Sequence, residues 1–253
     1  MNEYFRNLLS LPPLASEQGA NVDRFIFYLH WLMVLLFAGW LVYFVYTLWR
    51  FRAARTPRAS HEGATSHTTS YIEVAVITFE SVLLLFFAIP WWAAAVEKFP
   101  AEKDSTVIRV TGRQFNWLGR YPGGDGEFAR QDLKLVTADN PLGVDKSDPN
   151  AKDDIDVNGE FVVPVNKPVI AQISSLDVIH SFKLPSMRMT QDAIPGMRIP
   201  VHFVPTVTNI YQIFCAQLCG NGHSNMKGVF KVVSADEYAK WLKSKSGGTA
   251  SFE

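Results

Sequence analysis

The sequence predicts a membrane hairpin of two helices followed by an all-β domain of the sandwich or barrel class. Three observations carry this. Phe25 to Trp49 is an apolar and aromatic run whose one basic side chain is His30. A second apolar run covers roughly Ile72 to Val96. From Thr106 onward, short stretches rich in β-branched and aromatic residues alternate with Pro, Gly, Asn and Asp, as strands and their turns do.

Residues 1–24 lack the compact basic-then-apolar order of a signal peptide and read as a mature arm outside the membrane. Residues 25–97 form the hairpin, with spans at about 25–49 and 72–96. Each run exceeds the roughly 20 residues a helix needs to cross the hydrocarbon core. A helix also satisfies its own backbone hydrogen bonds, which lipid cannot do. The loop between the spans carries Arg50, Arg52, Arg55 and Arg58 against a single acid, Glu62. That bias marks a cytoplasmic loop, so both termini are expected outside, on the periplasmic side of a bacterial inner membrane. Trp31, Trp49, Trp91 and Trp92 stand toward the span ends, where interfacial anchors belong.

The exterior domain is expected over residues 103–234. Its predicted strands are 106–112, 161–165, 169–175, 178–184, 198–204, 209–214 and 228–233. Residues 235–253 hold a closing helix and a tail. Ser234 with Glu237 three residues on makes a capping box, and Tyr238, Trp241 and Leu242 share one helical face. The Ser-Gly-Gly-Thr tail is expected to fray. No internal repeat is present. Lys+Arg and Asp+Glu both total 24, so no charge excess favours nucleic acid or an acidic substrate. With Cys215 and Cys219 as the only cysteines, no disulfide framework holds the domain together.

The chemistry concentrates in Cys215-Ala-Gln-Leu-Cys219-Gly-Asn-Gly-His223-Ser-Asn-Met226, a glycine-bearing loop between two predicted strands. His180, in an earlier strand, can join it only through tertiary structure. Thiolate, imidazole and thioether together suit copper, whereas zinc sites draw on Cys, His and carboxylates. A mononuclear blue-copper site needs one Cys, two His and a weak axial Met. A second Cys permits two thiolates to bridge two copper ions, each completed by one His and one weak ligand. Two alternatives stand beside this: a disulfide between the cysteines, and a structural zinc site, against which Met226 argues.

Taken with Asp177-Val-Ile-His180-Ser-Phe, Asp192-Ala-Ile-Pro-Gly196 and the two-span hairpin, this loop resembles subunit II of the haem-copper cytochrome c oxidases over nearly the whole chain. The resemblance implies a cupredoxin-like Greek-key barrel. It also implies a binuclear copper centre that accepts electrons from cytochrome c and relays them to haem in catalytic subunit I, where oxygen is reduced to water. Carried over residue by residue, Cys215 and Cys219 bridge the two copper ions, His180 and His223 each bind one, and Met226 is a weak ligand. The residue midway between the cysteines, Gln217, ligates through its backbone carbonyl. In the family that position is commonly glutamate, whose side chain also binds magnesium at the interface with the catalytic subunit. An amide is the poorer magnesium ligand, so magnesium is expected to bind weakly or not at all.

Arg113-Gln-Phe-Asn-Trp117 through Tyr121 resembles the family's aromatic patch for electron entry. Phe115 stands where the family's first tryptophan does, and Trp117 and Tyr121 follow. Simple packing in a strand explains the same residues equally well. Seven acids between Asp139 and Glu160 (Asp139, Asp145, Asp148, Asp153, Asp154, Asp156 and Glu160) read either as a solvated loop or as a surface that steers a basic cytochrome. Glu73 matches in context the family's glutamate at the mouth of a proton pathway, with a solvated helix-end acid as the plain alternative. Glu80 lies two turns deeper without an assigned role. His30, His61, His67 and His202 lack partners at ligand spacing, and Met187 and Met189 read as packing. Two other classes compete with the electron relay: a quinol-oxidase-type structural subunit, which lacks such ligands, and a membrane-tethered copper-binding module. No C-x-x-C-H haem-attachment motif occurs, so an electron donor comes from outside, either cytochrome c or another soluble carrier.

Overall fold

A computed structural model describes residues 3–245, apart from 57, 59, 60, 62, 64 and 65. The Ser-Gly-Gly-Thr tail and the loop acid Glu62 therefore lie outside the described residues. A short helix α1 (Glu3–Leu8) precedes α2 (Gly19–Arg50). The second apolar run is α3 (Thr68–Leu83), a π-helical turn at Leu84–Ala88, and α4 (Ile89–Glu97) in succession. Pro90 has no N–H to offer the carbonyl four residues back, and the widened turn just before it absorbs that lost bond. Both helical runs are long and apolar enough to span a bilayer, and their apolar side chains lie exposed in the single chain.

Helix α2 starts six residues ahead of the apolar run, because its opening turns dock on the β domain. Ser16 Oγ accepts from the Gly19 N–H at 3.2 Å and donates to the Met187 carbonyl at 2.7 Å. The carboxylate of Asp23, 2% exposed, takes Arg188 Nε at 2.7 Å and Nη2 at 3.1 Å. Arg188 also donates to the Pro185 and Pro12 carbonyls, both at 2.8 Å. Ala15 itself is buried in the core, so the arm is packed against the domain.

The domain is a sandwich of two five-stranded sheets. Its strands are β1 (Thr106–Arg113), β2 (Asn116–Tyr121), β3 (Ile155–Asn158), β4 (Glu160–Pro164), β5 (Val169–Ser175), β6 (His180–Leu184), β7 (Met189–Ala193), β8 (Ile199–Phe203), β9 (Asn209–Cys215) and β10 (Lys227–Val233). One sheet runs β3-β2-β1-β5-β8 and the other β4-β10-β9-β6-β7. The β1–β5 and β4–β10 pairs are parallel and the rest antiparallel. Alternating side chains fill the space between the sheets: Ile108, Val110 and Ile173 from one, Phe161, Phe182 and Phe230 from the other. This is the cupredoxin-like domain expected from the resemblance. Helix α5 (Ala235–Lys245) closes one end. Its capping box forms, with Glu237 accepting the Ser234 N–H at 3.0 Å, and Trp241 packs edge-on to Tyr121.

Candidate metal centre

Strand β9 delivers Cys215 at its last residue, and the chain then loops through Cys219 and a short 3-10 turn at His223–Asn225 before entering β10. The loop is closed by its own backbone, since the Cys215 N–H donates to the Met226 carbonyl at 3.2 Å. The Ala216 N–H donates to Ser181 in the adjacent β6, which fixes the loop against the strand that carries His180.

All five expected side-chain ligands converge. The two Sγ atoms are 3.8 Å apart and the thiols are free. Cys215 Sγ lies 3.9 Å from His180 Nδ1, and Cys219 Sγ lies 3.6 Å from His223 Nδ1. Met226 Sδ stands 3.8 Å from Cys219 Sγ, and the Cys215 thiol meets the Gln217 carbonyl at 3.1 Å. The ligand atoms of His180, Cys215 and Cys219 all lie within 4.8 Å of one another. Each thiol thus has one imidazole beside it, and the weak donors Met226 and Gln217 O sit on different cysteines. The donor set of thiolate, imidazole and thioether fits copper.

Electrostatics make the site depend on a cation. Burial pushes the Cys219 thiol up to about 11, with the Cys215 hydrogen bond and charge adding to it. Two thiolates side by side need a positive charge between them, as a bound metal provides. His180 is fully buried, and its Nε2 lies 2.8 Å from Asp177 Oδ1. Burial would raise the Asp177 carboxyl, but the Gln114 N–H, His180 and the Val178 N–H together hold it below its ordinary range. A carboxylate on the far nitrogen orients an imidazole and leaves Nδ1 free to face a metal.

Two supporting residues escaped the sequence reading of the site. Asp177 precedes His180 by three residues, a spacing that could have suggested an imidazole partner. Gln114 gives no such signal: its N–H reaches Asp177 Oδ2 at 2.7 Å while its Nε2 reaches the Cys219 carbonyl at 2.7 Å. One residue therefore ties the β1–β2 turn to both ligand loops. Gly112 allows the imidazole to approach, since a Cβ there would stand 2.8 Å from His180 Cδ2.

The aromatic patch divides. Phe115 is 38% exposed and lies over Gly222, where a Cβ would meet its ring at 2.4 Å. Trp117 is fully buried against His180 and Phe182. Tyr121 is 1% exposed, and its hydroxyl accepts from the Val162 N–H and donates to the Val162 carbonyl. Trp117 and Tyr121 are core side chains, as the alternative of packing in a strand expects, and of the three aromatics Phe115 alone is exposed.

The acidic run is more structured than a plain loop. It contains β3, whose Ile155 and Val157 are buried, and most of its carboxylates are already engaged. Arg120 pairs with Asp156 at 2.6 Å and Asp154 at 3.3 Å. Arg130 takes Asp145 and Asp148, and Lys231 takes Glu160. Asp153 accepts from the Asp125 N–H. Arg120 and Tyr121 lie at the end of β2 away from Phe115, with Asn116 and Tyr121 roughly 17 Å apart along an extended strand. The run is therefore part loop and part strand, with ion pairs along it. Glu73 and Glu80 both lie on α3, exposed on the helix surface and remote in the chain from the ligand loops.

Comparison with known proteins bears on this arrangement. Residues 106–233 match the family model for the cytochrome c oxidase subunit II periplasmic domain. A probable cytochrome c oxidase subunit 2 of Rickettsia bellii is 31% identical over 240 residues, 94% of this chain and 82% of that one. The alternative cytochrome c oxidase subunit 2 of Bradyrhizobium diazoefficiens is 28% identical over 232 residues, covering 91% of this chain and 82% of the relative. Among solved structures, the periplasmic domain of cytochrome oxidase subunit II from Bradyrhizobium japonicum is 31% identical, with 60% of this chain and 100% of that one covered and a TM-score of 0.45.

Proposed function

The chain belongs to the cytochrome c oxidase subunit II family, a two-span inner-membrane protein with a periplasmic metal-binding domain, and from that premise we propose that it is the electron-entry subunit of its oxidase. It takes electrons from cytochrome c or a similar soluble donor and passes them toward haem in catalytic subunit I, where oxygen is reduced to water. His180, Cys215, Gln217 through its carbonyl, Cys219, His223 and Met226 would hold a pair of copper ions. When bound, such a pair shares one electron over both metals, so that little rearranges as the electron arrives and leaves. The single observation that carries the reading is the pairing of each thiol with its own imidazole across a 3.8 Å gap between sulfurs.

The protein's own part is to hold these donors still. The β6 and β9 strands set His180 and Cys215, Asp177 turns the imidazole, and Gln114 pins the Cys219 carbonyl. A full ligand set argues against the quinol-oxidase-type subunit, and ligands drawn from two strands of a packed sandwich argue against a copper carrier. The donor's landing surface is apolar: Phe115, Val178, Ile179 and Leu218 are exposed on the same loops that supply Gln114, Asp177 and Gln217. Termini and domain lie on the periplasmic side, with the arginine-rich loop in the cytoplasm. Gln217 leaves magnesium weakly bound or absent, and Glu73 is the candidate proton-pathway group.

Stopped-flow mixing of reduced cytochrome c with the copper-loaded full chain in detergent tests the relay. Rapid oxidation of one cytochrome per chain is expected, and its loss in Cys219→Ser. Cytochrome that stays reduced in the presence of the loaded wild-type chain would overturn the reading.

A further inference from the structure

Just beyond the second span, on the outer face of the β1 sheet, lies a cavity of about 500 Å³ lined by Lys103, Ser105, Arg109, Phe128 and Gln172 among others. Lys103 follows the end of α4 at Glu97 by six residues, so the cavity opens close to the membrane surface. Arg109 is its principal cation. The guanidinium stacks 4.0 Å over the Phe128 ring and donates only to neutral oxygens: Gln172 Oε1 at 3.3 Å, the Ala129 carbonyl at 3.4 Å and Gln131 Oε1 at 3.2 Å. Arg198 reaches the same Gln131 oxygen at 3.1 Å. Two guanidiniums thus share one amide acceptor.

Neighbouring acids compensate them only in part, through the charge of Asp154 acting on Arg109. Asp154 and Asp156 are both held by Arg120, the residue paired with Arg109 across the strands. Glu102 and Glu127 also line the cavity, yet both are exposed, and among the described residues neither Arg109 nor Arg198 forms an ion pair. Burial, then the charges of Arg198 and Arg120, lower Arg109 to about 10, with Asp154 opposing them. A guanidinium fixed over an aromatic ring by its Nε and Nη1 bonds keeps Nη2 for a further acceptor, and with Lys103 lining the same cavity it suits an oxygen of a phosphate.

We infer that this cavity binds a phosphate-type oxyanion, with Arg109 as the anchor and Lys103 and Arg198 as supporting charges. Either the phosphodiester of a lipid headgroup or free phosphate carries that chemistry.

The full chain in detergent, delipidated, would be titrated separately with inorganic phosphate and with dihexanoyl phosphatidylglycerol below its micellar concentration, following the Arg109 side-chain 15Nε resonance. Saturable shifts with both probes would establish an oxyanion site, and shifts with the lipid alone would assign it to headgroups. Affinity, read for the wild type and both variants by isothermal titration calorimetry because Arg109→Gln lacks the reporter nitrogen, should fall at least tenfold in Arg109→Gln and several-fold in Arg198→Gln. The exposed Arg198 can change without disturbing the fold, so it keeps the test valid if Arg109→Gln destabilises the chain. No shift with either probe, or equal affinity in wild type and Arg198→Gln together with Arg109→Gln, overturns the inference.

Discussion

Asp177 shows how much of the centre rests on a residue that never touches the metal. Its carboxylate is held by two backbone N–H groups and faces His180 Nε2. Removing it in Asp177→Ala frees the imidazole to rotate, and copper affinity should fall about 10- to 100-fold by competitive titration with a chelator. Unchanged affinity would mean that packing alone orients His180. Asp154 offers a test through pH. Burial, the largest influence, raises its carboxyl from 3.8 to about 6, against the Ala129 N–H and Arg120. The folded chain therefore holds this proton more tightly than the unfolded chain. Its contribution to stability is full below the ordinary value and is lost as pH climbs through about 6. The melting temperature of wild type minus that of Asp154→Asn should accordingly decline between about pH 4 and about pH 6.5. A difference that stays level across that window would show that Asp154 remains ionised throughout.

Among the elements, the β1–β2 turn, the loop before β6 and the β9–β10 loop act as one unit because Gln114 bonds to two of them at once. Phe115 sits on the same unit, packed over Gly222 of the ligand loop, so a donor landing there stands next to the ligands. Phe115→Ala with Leu218→Ala should lower the association rate with reduced cytochrome c several-fold. Neutralising Asp145 and Asp148 should leave the ionic-strength slope of that rate unchanged, since Arg130 already engages both. The opposite pattern would place docking on the acidic run. The ligand loop was legible in the sequence because four donor side chains, two Cys, one His and one Met, fall within twelve residues, and seven strands were legible from β-branched runs. Strands β3 and β7 were not read as strands and β2 only as one of two alternatives, for three different reasons. The aromatic run in β2 resembled an entry patch, the acids around β3 masked its buried Ile155 and Val157, and the edge strand β7 carries polar Thr190, Gln191 and Asp192. Partnership decided those cases: Tyr121 is a core residue because Val162 satisfies its hydroxyl, which no local pattern announces.

Across the whole molecule, the membrane hairpin and the metal domain are joined by more than the linker after α4. The Asp23–Arg188 pair is nearly buried on both sides and joins the first turns of α2 to the start of β7, with Ser16 and the Pro12 carbonyl adding bonds. Removing one partner strands the other charge, so Asp23→Asn should destabilise the docked arm by about 3–5 kcal/mol. Hydrogen exchange at Ala15 and Glu17, whose N–H groups bond to Ser186 and Val204, should speed up accordingly. Unaltered protection would mean the pair is incidental to docking. This attachment fixes the first turns of α2 to the domain. The claim on which the rest depends is the shared copper centre, and quantitative electron paramagnetic resonance with copper analysis on the loaded full chain tests it most directly. Two coppers per chain with one unpaired electron spread equally over both are expected; one copper per chain, or an electron confined to a single ion, would contradict it.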